Sequence, residues 1–204
     1  MNVAKASHTR DVCNGLCLVE LILASGLGMM IAALVMRLVI MDTTIGGAMA
    51  QYMRHKSQQR QALTLIQDDL ASAHHWQVNP IASPEWPCAL KGRRPVLAIA
   101  TTSDNGELRR GVIVYSVGAA PSPIWRGSVL MRCGPAYDIN GQSSLKGGFM
   151  NRVLLDALPE QDSSKGFGFV ARPDLTMPVL HLHVEQHVAM PNGRLQSIHS
   201  DAAA

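Results

Sequence analysis

Between Leu16 and Met41 the chain carries only two charged residues, Glu20 and Arg37. The inner stretch Leu21–Met36 carries none. A helix over Leu16–Met41 spans roughly 39 Å at ~1.5 Å per residue, enough to cross a ~30 Å hydrocarbon layer with tilt. The remainder of the chain is ordinary soluble sequence. The 204 residues therefore hold one membrane-grade helix and one domain of modest size.

The charge pattern narrows the function. Net charge is +3, charged residues make up 16% of the chain, and no block of like charges occurs. Aromatic residues are 4%, too few for a base-stacking surface. Nucleic-acid binding is not indicated.

Glu20 decides between kinds of N-terminal segment. A secretory signal would use the Ala48-Met49-Ala50 match, but the run is long, Glu20 interrupts its start and Arg37 precedes the site. A lipoprotein signal needs its cysteine after the apolar run, and Cys17 precedes it. A plain anchor fits the hydropathy and leaves Glu20 idle. A carboxylate inside a membrane segment is costly, and such acids are usually functional.

The segment Gly15-Leu16-Cys17-Leu18-Val19-Glu20-Leu21 resembles the processing site of type IV prepilins and type II secretion pseudopilins. In that family a short polar leader ends in glycine, and a membrane peptidase cuts after it on the cytoplasmic side and methylates the new terminus. The resemblance implies a leader 1–15, cleavage between Gly15 and Leu16, a transmembrane helix 16–41, a helical extension 42–75 and a globular head 76–204. Glu20 falls on the family's glutamate, which pairs with the terminal amine of a neighbouring subunit during assembly. A buried carboxylate and a buried ammonium each need such a partner. The implied partners are the prepilin peptidase, other pilin or pseudopilin subunits and the membrane. The implied location is the bacterial inner membrane, single-pass, with the N-terminus cytoplasmic and the head periplasmic.

Gly46-Gly47 marks an expected kink or break. From Ala48 to His75 the pattern is helical, with Leu63, Ile66, Leu70 and Ala73 at three- and four-residue spacing. Arg54–Gln61 is polar all round and reads as a solvated bridge. His74-His75 reads as a helix end, where a cation suits the dipole. Pro80, Pro84 and Pro87 end the helical region. Val96–Thr102, Leu108–Val117, Trp125–Arg132, Gly166–Ala171 and Pro178–Val188 read as strands, the first two as a hairpin around Ser103–Gly106. Arg152–Leu158 fits helix or strand, and Asp138–Gly148 reads as a loop. The fold class is α+β: a long N-terminal helix packed on an antiparallel sheet, the pilin layout. The order Ile113–Tyr115, Trp125-Arg126, Arg152–Leu158 and Gly166–Phe169 resembles minor pseudopilins of the J type.

The chain has four cysteines, Cys13, Cys17, Cys88 and Cys133. If the soluble part is exported, Cys88 and Cys133 fit a disulfide; two small buried thiols are the alternative. His181, His183, Glu185 and His187 alternate along one strand candidate and share a face. His-x-His is a zinc-ligand spacing, yet same-face neighbours lie ~7 Å apart. A solvated polar face opposite Leu182, Val184 and Val188 is the simpler reading, so no metal and no cofactor is expected. The sequence holds no G-x-S-x-G, Walker, HExxH or CxxC motif, and no enzyme is expected. The alternative to a filament subunit is a membrane-anchored or secreted domain that binds a ligand or metal.

Overall fold

The computed structural model describes residues 18–101, 112–136, 148–159, 168–190 and 193–204. The expected cleavage site at Gly15 and Leu16, the turn Ser103–Gly106 and most of the loop Asp138–Gly148 lie outside them. In chain order come helix α1 (Leu18–Ala71) and strands β1 (Ala73–Val78), β2 (Arg94–Thr101), β3 (Val112–Ala119) and β4 (Ser128–Pro135). The remaining strands are β5 (Phe149–Leu158), β6 (Phe169–Pro173), β7 (Leu180–Ala189) and β8 (Leu195–Ala203). By its contacts the chain divides into two units, Met1–Gly46 and Gly47–Ala204.

In the first unit every described side chain from Leu18 to Met41 is exposed. This segment is long and apolar enough to cross a membrane. α1 runs through Gly46-Gly47 without the expected break. Glycine costs a helix only ~1 kcal/mol relative to alanine, which neighbouring turns can absorb.

The second unit is α+β. β1 to β5 form one antiparallel sheet in sequence order, and β6-β7-β8 form a second. The single sheet expected from the sequence is thus two. One face of the larger sheet presents Leu97, Ile99, Ile113, Tyr115 and Leu130 to the core. Ala62, Leu63 and Ile66 of α1 and Phe169, Leu182 and Val184 of the smaller sheet complete that core. The alternation of the strands sends Val114 and Cys133 to the other face, where they pack with Cys88, Trp86 and Leu90 of the β1–β2 connection. Both faces of β3 and β4 are therefore covered, which is why these strands read as unbroken apolar runs.

Three local expectations need correction. α1 ends at Ala71, so His74 and His75 belong to β1, paired with β2. The strand expected from Trp125 starts at Ser128, because Trp125 sits in a turn and Gly127 takes φ 58°. Arg54–Gln61 is only partly solvated: Gln59 is fully buried and its Nε2 donates to Ile198 O at 2.7 Å.

Candidate functional site

Glu20 lies in the first described turn of α1. Arg37 stands 17 residues further on, roughly 25 Å along the axis at ~1.5 Å per residue. The two charges bracket a belt of exposed Leu, Ile, Val and Met side chains, among them Leu23 (67%), Met30 (63%) and Met36 (65%). Ser25 returns its hydroxyl to Ile22 O at 2.9 Å, so its polarity is satisfied within the helix. A helix surface of this kind suits lipid or another apolar helix.

The C-terminal part of α1 is fixed by polar as well as apolar side chains. Tyr52, His55, Gln59, Ala62, Leu63, Ile66 and Asp69 recur at three- and four-residue spacing on the covered face. Gln59 takes the Ser200 hydroxyl on Oε1 at 2.7 Å while donating to Ile198 O. Gln67 Nε2 donates to Ala203 O at 2.8 Å, and Lys56 Nζ donates to His199 O. These side chains satisfy carbonyls along β8, the edge strand of the smaller sheet. At the end of the helix Asp69 receives Arg132 of β4 in a two-pronged ion pair, with Tyr115 donating to the same carboxylate. Arg132 needs the space that Gly134 leaves: a Cβ at Gly134 would sit 2.6 Å from Arg132 Cζ.

On the opposite face of the larger sheet Cys88 and Cys133 form a disulfide with Cα atoms 6.0 Å apart. The bond ties the proline-containing β1–β2 connection to the back of β4.

The histidines of β7 alternate with buried residues: Leu182, Val184 and Val188 are inside, while His181, His183, Glu185 and His187 line the outer face. Each imidazole meets a carboxylate. His181 Nε2 lies 3.2 Å from Asp174, His183 Nδ1 2.6 Å from Asp201, and His187 Nε2 3.2 Å from Glu185. His199 of β8 stacks near His183, ring centroids 6.3 Å apart. The carboxyls feel these partners. The Thr176 hydroxyl and amide, then His181, hold Asp174 far below the usual carboxylate range. The His183 hydrogen bond lowers Asp201, and the Ser197 hydrogen bond, with His187, lowers Glu185. Among the described residues no three His, Cys, Asp or Glu side chains converge as a metal site. The strand geometry spreads the three β7 histidines along the strand and gives each an acid instead.

Compared with known proteins, the chain matches no family model, no curated protein and no solved structure. Sequence reasoning missed Gln59, Asp69 and Arg132 because buried polar groups carry no hydropathy signal. For Gln59 and Asp69 helical spacing was the available clue: positions 59, 62, 66 and 69 form a single stripe.

Proposed function

We propose that the chain is a minor pilin or pseudopilin, a structural subunit of a type IV pilus or a type II secretion pseudopilus. The observation that carries this reading is Glu20 in the first turn of an exposed apolar helix. Such an acid is expensive in a membrane and useful when an ammonium must be matched during packing. The α+β domain built on the C-terminal part of the same helix supports the reading, as does the disulfide expected of an exported domain.

On this reading the prepilin peptidase removes the leader after Gly15 and leaves an α-ammonium at Leu16. The helix holds the subunit in the inner membrane, N-terminus inside and the head in the periplasm. Assembly moves the helix from lipid into a bundle of like helices. Glu20 then takes the terminal amine of a neighbour and sets the axial register. The chain catalyses nothing; its work is to pack. The test is the N-terminus of the mature protein in cells with an active prepilin peptidase. Gly15→Leu should keep the leader attached, and an unchanged mature mass in that variant would sink the proposal.

A further inference from the structure

We propose that a depression on the outer face of the β6-β7-β8 sheet binds the carboxylate groups of an acidic polypeptide segment, and does so when the surrounding imidazoles are protonated. This does not rest on the filament reading. The depression encloses ≈ 350 Å³, at the small end of the range for ligand sites. Val170 gives it an apolar part; Arg172, His181, His183 and Asp201 give it a polar one. The strand register assembles these groups. Arg172 stands opposite His181, and Val170, His183 and Asp201 form the adjacent row. Cross-strand neighbours lie ~5 Å apart, so the cationic side chains can converge on a single group.

Arg172 is the available hand. His181 and His183 are engaged by Asp174 and Asp201, whereas Arg172 is exposed and makes no ion pair among the described residues. Its planar fork fits a carboxylate two-handed.

Charge sets the condition. The charged groups on or beside this face are Arg172 of β6, Asp174 of the β6–β7 turn, His181, His183, Glu185 and His187 of β7, His199 and Asp201 of β8, and Lys56 and Arg60 of α1. With neutral imidazoles, three carboxylates face three cations. With the four imidazoles protonated, seven cations face the same three carboxylates. The carboxyls stay ionised through that change because their hydrogen bonds favour the charged form. Protonation of the four imidazoles therefore takes the face from balanced charge to an excess of cations, which favours carboxylates.

A polypeptide fits better than a small acid. Leu175 is 99% exposed and Met177 58% exposed on the turn that Asp174 organises. Asp174 Oδ1 accepts from Thr176 N, Thr176 Oγ1 and Met177 N, so these apolar side chains are held out in water by a fixed turn. Apolar prongs beside a cationic site suit a chain that alternates acidic and apolar residues.

The experiment titrates the full chain in detergent with a fluorescent peptide of alternating glutamate and leucine, at about pH 5.5 and about pH 7.5, either side of the ordinary imidazole value. Binding should be about tenfold tighter at the lower pH, and Arg172→Ala should lose about tenfold there. A His181→Asn/His183→Asn double variant should flatten the pH dependence while keeping the fold, since both rings are on the surface. Free glutarate should compete only at much higher concentration; equal potency would overturn the polypeptide assignment. Equal affinity at both pH values, full binding by Arg172→Ala, or equal binding of a lysine–leucine peptide would overturn the site itself.

Discussion

Asp69 of α1 grips Arg132 of β4 end to end, with Arg132 Nε 2.6 Å from Oδ2 and Nη2 2.8 Å from Oδ1. Both side chains are buried, at 4% and 1% exposure. Arg132 Nη1 spends a further donor on Pro135 O at 3.1 Å, and Tyr115 supplies the carboxylate with another hydrogen bond. The pair locks the end of the helix onto the middle of the larger sheet. Removing one partner strands the other charge, which costs about 3–5 kcal/mol. Asp69→Ala should therefore lower the denaturant midpoint steeply. Asp69→Leu combined with Arg132→Met should recover much of the loss, because no buried charge remains. A single variant within about 1 kcal/mol of the parent would show that the pair is not what fixes the helix.

The disulfide gives a second prediction. Cys88 and Cys133 are 45 residues apart, and closing a loop of that length contributes ~4 kcal/mol in the chain-entropy account. Replacing both with serine should lower stability by an amount of that order. Peptide mapping without reductant should recover the two cysteines in one linked fragment; free-thiol labelling of both in the native protein would contradict the bond.

Acid should destabilise the second unit in two stages. His55 is partly buried, and burial holds its imidazole below the ordinary 6.5, with Asp156 opposing and Arg54 and Arg126 assisting. The unfolded chain then binds the extra proton first, so stability falls as pH drops through about 6.5. Asp174, Glu185 and Asp201 are held below their ordinary values of 3.8, 4.5 and 3.8. Their contribution is complete above those values and is lost as pH falls through the lowered folded ones. Denaturation midpoints across pH should show both slopes. His55→Gln should remove the upper one and Asp174→Ala should weaken the lower; slopes unchanged by these variants would refute the assignment.

Much of this architecture is legible in the sequence. Leu18–Met41 declares itself because a membrane-grade run has few other uses. β2, β3 and β7 announce themselves through β-branched runs or clean alternation. Arg152–Leu158 did not, since its spacing suits helix and strand alike; pairing with β4 decides for strand. β8 was missed because it is an edge strand with one fully buried apolar residue, Ile198, and α1 satisfies it with lysine and glutamine. β1 was missed because His74-His75 suits a helix end as well as an edge strand facing water. The histidine face was legible as alternation, but its acids were not: Asp174 and Asp201 come from a turn and a neighbouring strand.

The proposed filament role makes Glu20 a residue of assembly and not of insertion. A helix without it is more apolar, so Glu20→Ala should insert in the membrane as well as the parent. It should also be cut after Gly15. It should nevertheless drop out of filaments or of complexes with other subunits, because the neighbouring ammonium loses its partner. Glu20→Asp keeps the charge with a shorter reach and should restore part of the yield. Co-purification of Glu20→Ala with its partners at parental yield would return Glu20 to the role of an idle interfacial acid.

The central claim is tested most directly by the intact mass and N-terminal sequence of the membrane-extracted protein from cells with an active prepilin peptidase. The account predicts a chain beginning at Leu16, with its α-amine methylated, and a longer chain when the peptidase is deleted. A mature chain that still begins at Met1, or one that begins at Gln51 after the Ala48-Met49-Ala50 match, would contradict it.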